Sequence, residues 1–143
     1  MKTPLPYLRL AGLIVPLLFG CGHMDFTPAG TGDPSRVLTG TISAQDNDTL
    51  PADAEVAVEV VDPQRTLEKA PSSVLGEQLI KNPGQFPIAF RVEYTAVDEA
   101  LQRGLIVQVR ISYGGKVRFF NVNSSSVTLS NLSDPHRISV NRL

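Results

Sequence analysis

Two stretches of the chain alternate apolar and polar residues almost without a break. Gln85 to Tyr94 sets Phe86, Ile88, Phe90, Val92 and Tyr94 on one side, and Gly104 to Tyr113 does the same with Leu105, Val107, Val109, Ile111 and Tyr113. Successive side chains of a β-strand point to opposite faces, so a period of two predicts strands with one dry face; an amphipathic helix needs a period of 3.6. Neither strand can bury its apolar face alone, which forces the rest of the chain to supply partners.

The partners read as shorter strands. Ala54 to Val61 alternates Val56, Val58 and Val60 against Glu55, Ala57 and Glu59. Arg36 to Ser43 has Val37 and Ile42 flanking Gly40, where the parity changes and a bulge is expected. Ser73 to Ile80, Val127 to Leu129 and His136 to Leu143 complete the set, with a turn from Asn131 through Pro135. Pro87 cannot donate to a ladder, so its strand is expected at a sheet edge. One helical turn fits Ala96 to Arg103, where Asp98 and Glu99 suit a helix start. The pattern predicts an all-β fold: a single compact β-sandwich of about seven to eight short strands, residues 36–143.

Gly114-Gly115 between two strands is a two-residue hairpin signal, because both glycines accept positive φ. A plain hairpin pairs Tyr113 with Lys116, Ile111 with Arg118, Val109 with Phe120 and Val107 with Val122. Cross-strand partners share a face, so Phe120 and Val122 are expected in the core. Val117 and Phe119 are then expected outside, beside Ser112 and Arg110, with Arg110 lying against the Phe119 ring as a cation–π neighbour. Phe119, Val117 and Arg110 are thus the candidate partner-binding patch, unless another strand or loop covers them.

The first 35 residues have a different character. Lys2 and Arg9 precede the apolar run from Leu10 to Phe19, a charged region followed by a hydrophobic one, as in an export signal. The run is about half the length a bilayer-spanning helix requires, and Pro16 interrupts it. It ends in Leu18-Phe19-Gly20-Cys21, which resembles the bacterial lipobox, with the only cysteine of the chain as the new first residue. An unpaired thiol left by ordinary cleavage would be unusual in an oxidising compartment. Residues 1–20 are therefore read as a lipoprotein signal peptide and Cys21 as the lipidation site. Residues 21–35, rich in Gly, Pro, Thr and Asp, are read as a flexible lipidated tether. Each buried CH₂ contributes about 0.8 kcal/mol, so two or three acyl chains anchor stably where one does not. Gly22, rather than aspartate, follows the cysteine, which by the usual sorting rule points to the outer membrane.

Of the 13 Lys and Arg residues two, Lys2 and Arg9, fall in the leader; the remaining eleven face 14 acidic residues, all after Cys21. The resulting net charge near −3 offers nothing to nucleic acid. Chemistry is equally sparse. His136 has Asp134 and Ser124 to Ser126 nearby, but no nucleophile elbow is present. Only His23 and His136 could join a metal site once Cys21 is acylated, and Asp46-Asn47-Asp48 lacks the glycine and distal glutamate of a calcium loop. No dinucleotide or phosphate-binding glycine loop occurs. No catalytic residue, metal, cofactor or small-molecule substrate is expected, and function is assigned to the surface and the anchor.

The blocks Leu38-Thr39-Gly40-Thr41, Leu50-Pro51-Ala52-Asp53-Ala54, Val56 to Asp62, Ala70 to Leu75, Gln85 to Phe90, and Val107 to Ile111 followed by Phe119-Phe120 appear in an order that resembles the YbaY/YscW-type lipoproteins, the type III secretion pilotin superfamily. Where that family often has T-D-T after the hairpin, this chain has Asn121-Val122-Asn123, so no acidic role transfers there. The resemblance implies a β-sandwich on a lipid anchor that acts as a pilotin-like chaperone, binding a secretin subunit and bringing it to the outer membrane. The alternatives are a general envelope-maintenance lipoprotein with another periplasmic partner, and a small hydrolase using His136.

Replacing Cys21 by Ala is expected to abolish both the acyl mass and membrane fractionation. Intact-mass spectrometry of the native protein checks this, and a mature species without added lipid contradicts it.

Overall fold

The structure, a computed structural model, describes residues 34–46, 48–69 and 73–143. The expected leader, Cys21 and tether lie outside the described residues, as does the Ala70-Pro71-Ser72 part of the family block. Eight strands and two short helices follow in chain order: β1 (Ser35–Ala44), β2 (Glu55–Val61), α1 (Pro63–Leu67), β3 (Val74–Lys81), β4 (Ile88–Thr95), α2 (Asp98–Arg103), β5 (Leu105–Tyr113), β6 (Lys116–Phe120), β7 (Ser125–Val127) and β8 (His136–Arg142).

All strands belong to one sheet, ordered β3-β2-β5-β6-β8-β1-β4, with β7 pairing the start of β5. β1 and β8 run parallel; the other pairs are antiparallel. The all-β expectation holds, and β4 stands at an edge, although it begins at Ile88, just after Pro87, so the proline lies outside the ladder. The two layers of the expected sandwich are opposite walls of a single sheet that curls into a nearly closed barrel. The walls enclose one core, in which Leu38, Ile42, Val56, Val58, Val60, Val92, Val107, Val109 and Ile111 are fully buried. Each such side chain contributes about 1.5–3 kcal/mol relative to exposure.

Glycine permits the curl at two places. A Cβ on Gly40 would lie 2.1 Å from the His136 carbonyl oxygen and 2.7 Å from the Phe90 ring. The expected bulge at Gly40 is absent: β1 pairs β4 in unbroken register from Ser35 with Thr95 to Ile42 with Ile88. The inward series is Leu38, Gly40, Ile42, and Val37 points outward. Gly40 breaks the apolar rhythm because the Phe90 ring occupies the space of its missing side chain. Gly76 does the same at the seam between the edge strands, where a Cβ would lie 2.2 Å from the Glu93 carbonyl oxygen. Two residues on, the Arg91 N–H donates to Gln78 Oε1 at 2.8 Å, so a side chain stands in for a strand partner.

α1 was absent from the sequence-based expectation. Its signal is Asp62-Pro63: the Asp62 Oδ1 accepts from the Gln64 N–H at 3.0 Å and proline takes the first helical position, where its missing N–H costs nothing. α2 falls where expected, with Asp98 and Glu99 in its first turn, and Asp98 is ion-paired with Arg36. Facing the core beside the seam, the Tyr94 hydroxyl is buried without a hydrogen-bond partner among the described residues. Burial pushes its phenol above the ordinary value, and nearby Arg36 pulls it partly back.

Gly40→Ala should cost about 3 kcal/mol, because the methyl group has no room against backbone and ring. Urea unfolding measures this, and an unchanged midpoint would show that β1 is not clamped between β4 and β8.

Candidate functional site

The hairpin that carries the expected patch turns at Gly114 and Gly115, with φ of 61° and 72°, and Tyr113 pairs with Lys116 as expected. One residue later the register shifts: Ser112 pairs with Val117, but Ile111 pairs with Phe119 and Arg110 with Phe120. Arg118 is the extra residue of a β-bulge. In the plain register Arg118 would have shared the inner face with Ile111, and burying an unpaired guanidinium is very costly. The bulge swings it out, where its Nε donates to the Tyr113 carbonyl at 3.2 Å and its guanidinium lies 5.2 Å from the centre of the Tyr113 ring.

The expected positions of three residues are corrected by this shift. Phe119 is core, 1% exposed, with its ring edge-to-face on Phe86 at 5.6 Å. Phe120 turns outward and is half-buried, and Val122 is 67% exposed. Val117 and Arg110 stay outside as expected. The cation over the Phe119 ring is Arg142, at 5.0 Å, rather than Arg110. Arg110 instead donates to Glu59 Oε1 at 2.6 Å. That pairing answers a local problem, since Glu59 sits directly opposite Glu77 on β3 and its side chain is only 12% exposed.

The outer face that results spans four strands. Leu79, Ala57, Arg110 and Phe120 are cross-strand neighbours on β3, β2, β5 and β6 in one row. Leu79 is 51% exposed and Val117, beside the row, 42%. At the β6 end the row opens into a groove of about 190 Å³ between Ile106, Gln108, Phe120 and Val122. Its floor is fixed by Asn121, whose Oδ1 accepts from the Val109 N–H at 2.7 Å while its Nδ2 donates to the Val107 carbonyl at 2.8 Å. These bonds extend the pairing of β5 past the end of β6, so the groove has a rigid base. An apolar surface with a central ion pair and a fixed floor suits capture of an amphipathic segment of another protein.

The acid–base candidates do not assemble in the same way. His136 is buried, its Nδ1 faces Ser125 Oγ at 3.4 Å and its Nε2 faces the Asn131 carbonyl at 3.3 Å, so a backbone oxygen rather than Asp134 orients the ring. Asp48 pairs with Arg142 at 2.7 Å. Among the described residues, no group of three His, Cys, Asp or Glu is placed to hold a metal ion.

Comparison with known proteins places the domain as a whole. The family model described as "Type III secretion system lipoprotein chaperone (YscW)" matches residues 33–140. A solved structure, that of an alternative pilotin from the type II secretion system of Vibrio cholerae, is similar with a TM-score of 0.63 and 24% sequence identity, over 77% of this chain and 98% of that one. At that identity the likeness speaks to the fold. No curated protein matches significantly.

Truncating the two neighbouring phenylalanines should have unequal effects. Phe119→Ala is expected to cost about 3–5 kcal/mol and Phe120→Ala about 1 kcal/mol in denaturant unfolding, and the reverse order would restore the unbulged hairpin.

Proposed function

Because the chain belongs to the type III secretion system lipoprotein chaperone (YscW) family, we propose that it is a non-enzymatic, pilotin-like chaperone that binds a secretin subunit and delivers it to the outer membrane. Residues 1–20 serve as the signal peptide, Cys21 carries the acyl chains, and residues 21–35 tether the domain on the periplasmic side. The lipid anchor supplies location and the domain supplies recognition.

The observation that carries this reading is the outer face of β3-β2-β5-β6. Val117 and Phe120 expose apolar surface on β6, which pairs with β5 and β8, and Val122 follows beside the groove floor that Asn121 braces, so little ordering entropy is lost there when a partner docks; Leu79 extends the apolar surface onto the edge strand β3. Arg110 supplies a guanidinium in the middle of the row, with Glu59 holding it in place. A partner that lays apolar side chains along the row and reaches Arg110 with an acceptor satisfies both parts.

The test is binding of the full chain to a peptide from the C-terminus of the cognate secretin, together with secretin localisation in cells lacking the protein. Phe120→Ala and Val117→Ser should each weaken capture by about 1–2 kcal/mol while leaving the fold intact. Absence of any association with secretin peptide or assembled secretin, with secretin localised normally without the protein, overturns the proposal and favours an envelope lipoprotein with another partner.

A further inference from the structure

The two ends of the sheet order, β3 and β4, meet at the seam without a backbone hydrogen bond between them among the described residues. They do not meet edge to edge. Gly76 and Gln78 pair with Val60 and Val58, which are fully buried, so both positions face inward. It is this inner face that β4 touches: a Cβ on Gly76 would strike the Glu93 carbonyl, and Gln78 Oε1 takes the Arg91 N–H. β4 therefore runs beneath β3, and the lateral edge of β3 is left uncovered.

The Asn82 N–H donates to the Ala54 carbonyl at 3.0 Å, which sets the phase of the ladder: even-numbered positions of β3 turn their backbone groups toward β2. Glu77, Leu79 and Lys81 turn theirs away, and these groups have no hydrogen-bond partner among the described residues. All three side chains are exposed on the outer face, Leu79 at 51%. Glu77 lies opposite Glu59, whose charge Arg110 takes, and no cation among the described residues is ion-paired with Glu77 itself.

An edge guarded against pairing carries charges that repel a copy of itself; this one carries opposite charges two residues to either side of a leucine. Turned about a two-fold axis at Leu79, an antiparallel copy sets Glu77 against Lys81 and Leu79 against Leu79, in pairs that exchange both backbone bonds. Displacing the register by two residues sets a charge against leucine, and by four sets like charges together, so a single register is favoured. Pro83, without an N–H, ends the ladder where Leu75 would meet it.

We propose that the edge of β3 pairs antiparallel with the same edge of a second copy of this chain, forming a two-fold dimer in which Glu77 and Lys81 join as ion pairs across the axis. The two outer faces then run on into one surface. The inference stands apart from the secretin reading, since a dimer formed this way needs no other partner.

Sedimentation equilibrium of the full chain across a concentration series, with amide hydrogen exchange, tests this. The native chain should dimerise with the Leu79 amide protected. Glu77→Lys and Lys81→Glu should each weaken dimerisation at least about tenfold, because each sets like charges together. An equimolar mixture of the two variants should regain the native affinity as a mixed dimer, and the double variant should regain it alone. A native chain that stays monomeric to about 1 mM overturns the proposal. So does a dimer that both single variants leave unchanged, a mixture and a double variant no tighter than the single variants, or a dimer whose Leu79 amide exchanges freely. A monomer whose Leu79 amide slows only when secretin peptide is added also overturns it, and gives the edge to that partner.

Discussion

The long strands β4 and β5 keep one face dry and leave the other wetter, and a slip of one residue exchanges the two faces completely. The hairpin of β5 and β6 meets that constraint with a bulge between Ile111 and Ser112. It gives up one ladder position so that Arg118 stays in water and Phe119 enters the core against Phe86. The same shift turns Phe120 outward beside Arg110, so core and candidate binding face are set by one irregularity. Arg142 then covers the remaining open side of the Phe119 ring.

Closure of the sheet depends on backbone approaches that side chains would prevent. Gly40 lets β1 sit between β4 and β8 under the Phe90 ring, and Gly76 lets β3 come against β4. At that seam Gln78 takes the Arg91 N–H, which leaves the edge of β4 less available for unwanted pairing. The Tyr94 hydroxyl, buried beside this seam without a hydrogen-bond partner among the described residues, costs local stability.

The strands with clean alternation, β2, β4 and β5, were legible in the sequence because burial on one face is a local pattern. So were the Gly114-Gly115 turn and α2. The departures arise where local pattern yields to tertiary contact. Gly40 mimics a parity change because the group that fills its place belongs to Phe90, fifty residues away. The bulge was legible only indirectly: a plain register puts Lys116 and Arg118 on the inward side of β6, a contradiction that signals a shift. α1 carried a sound start signal in Asp62-Pro63 but only five residues of helix. β7 lies at Ser125–Val127, slightly earlier than the expected Val127 to Leu129, since its serines carry no apolar rhythm. Of the outer face, Arg110 and Val117 were recognisable, whereas Phe120 was expected in the core. Leu79 and Val122 join it only through the pairing of β2 with β3 and the path of the chain after β6. The family resemblance read from the order of blocks agrees with the matched family.

The outward turn of Phe120 places a half-buried ring on the candidate outer face at the cost of one bulge. The most direct measurement of this account is a nuclear Overhauser spectrum of the aromatic side chains. Cross-peaks between the ring protons of Phe86 and Phe119, with none between Phe86 and Phe120, are predicted by the bulged register. Cross-peaks from Phe86 to Phe120 in their place would contradict it, and with it the assignment of the binding face.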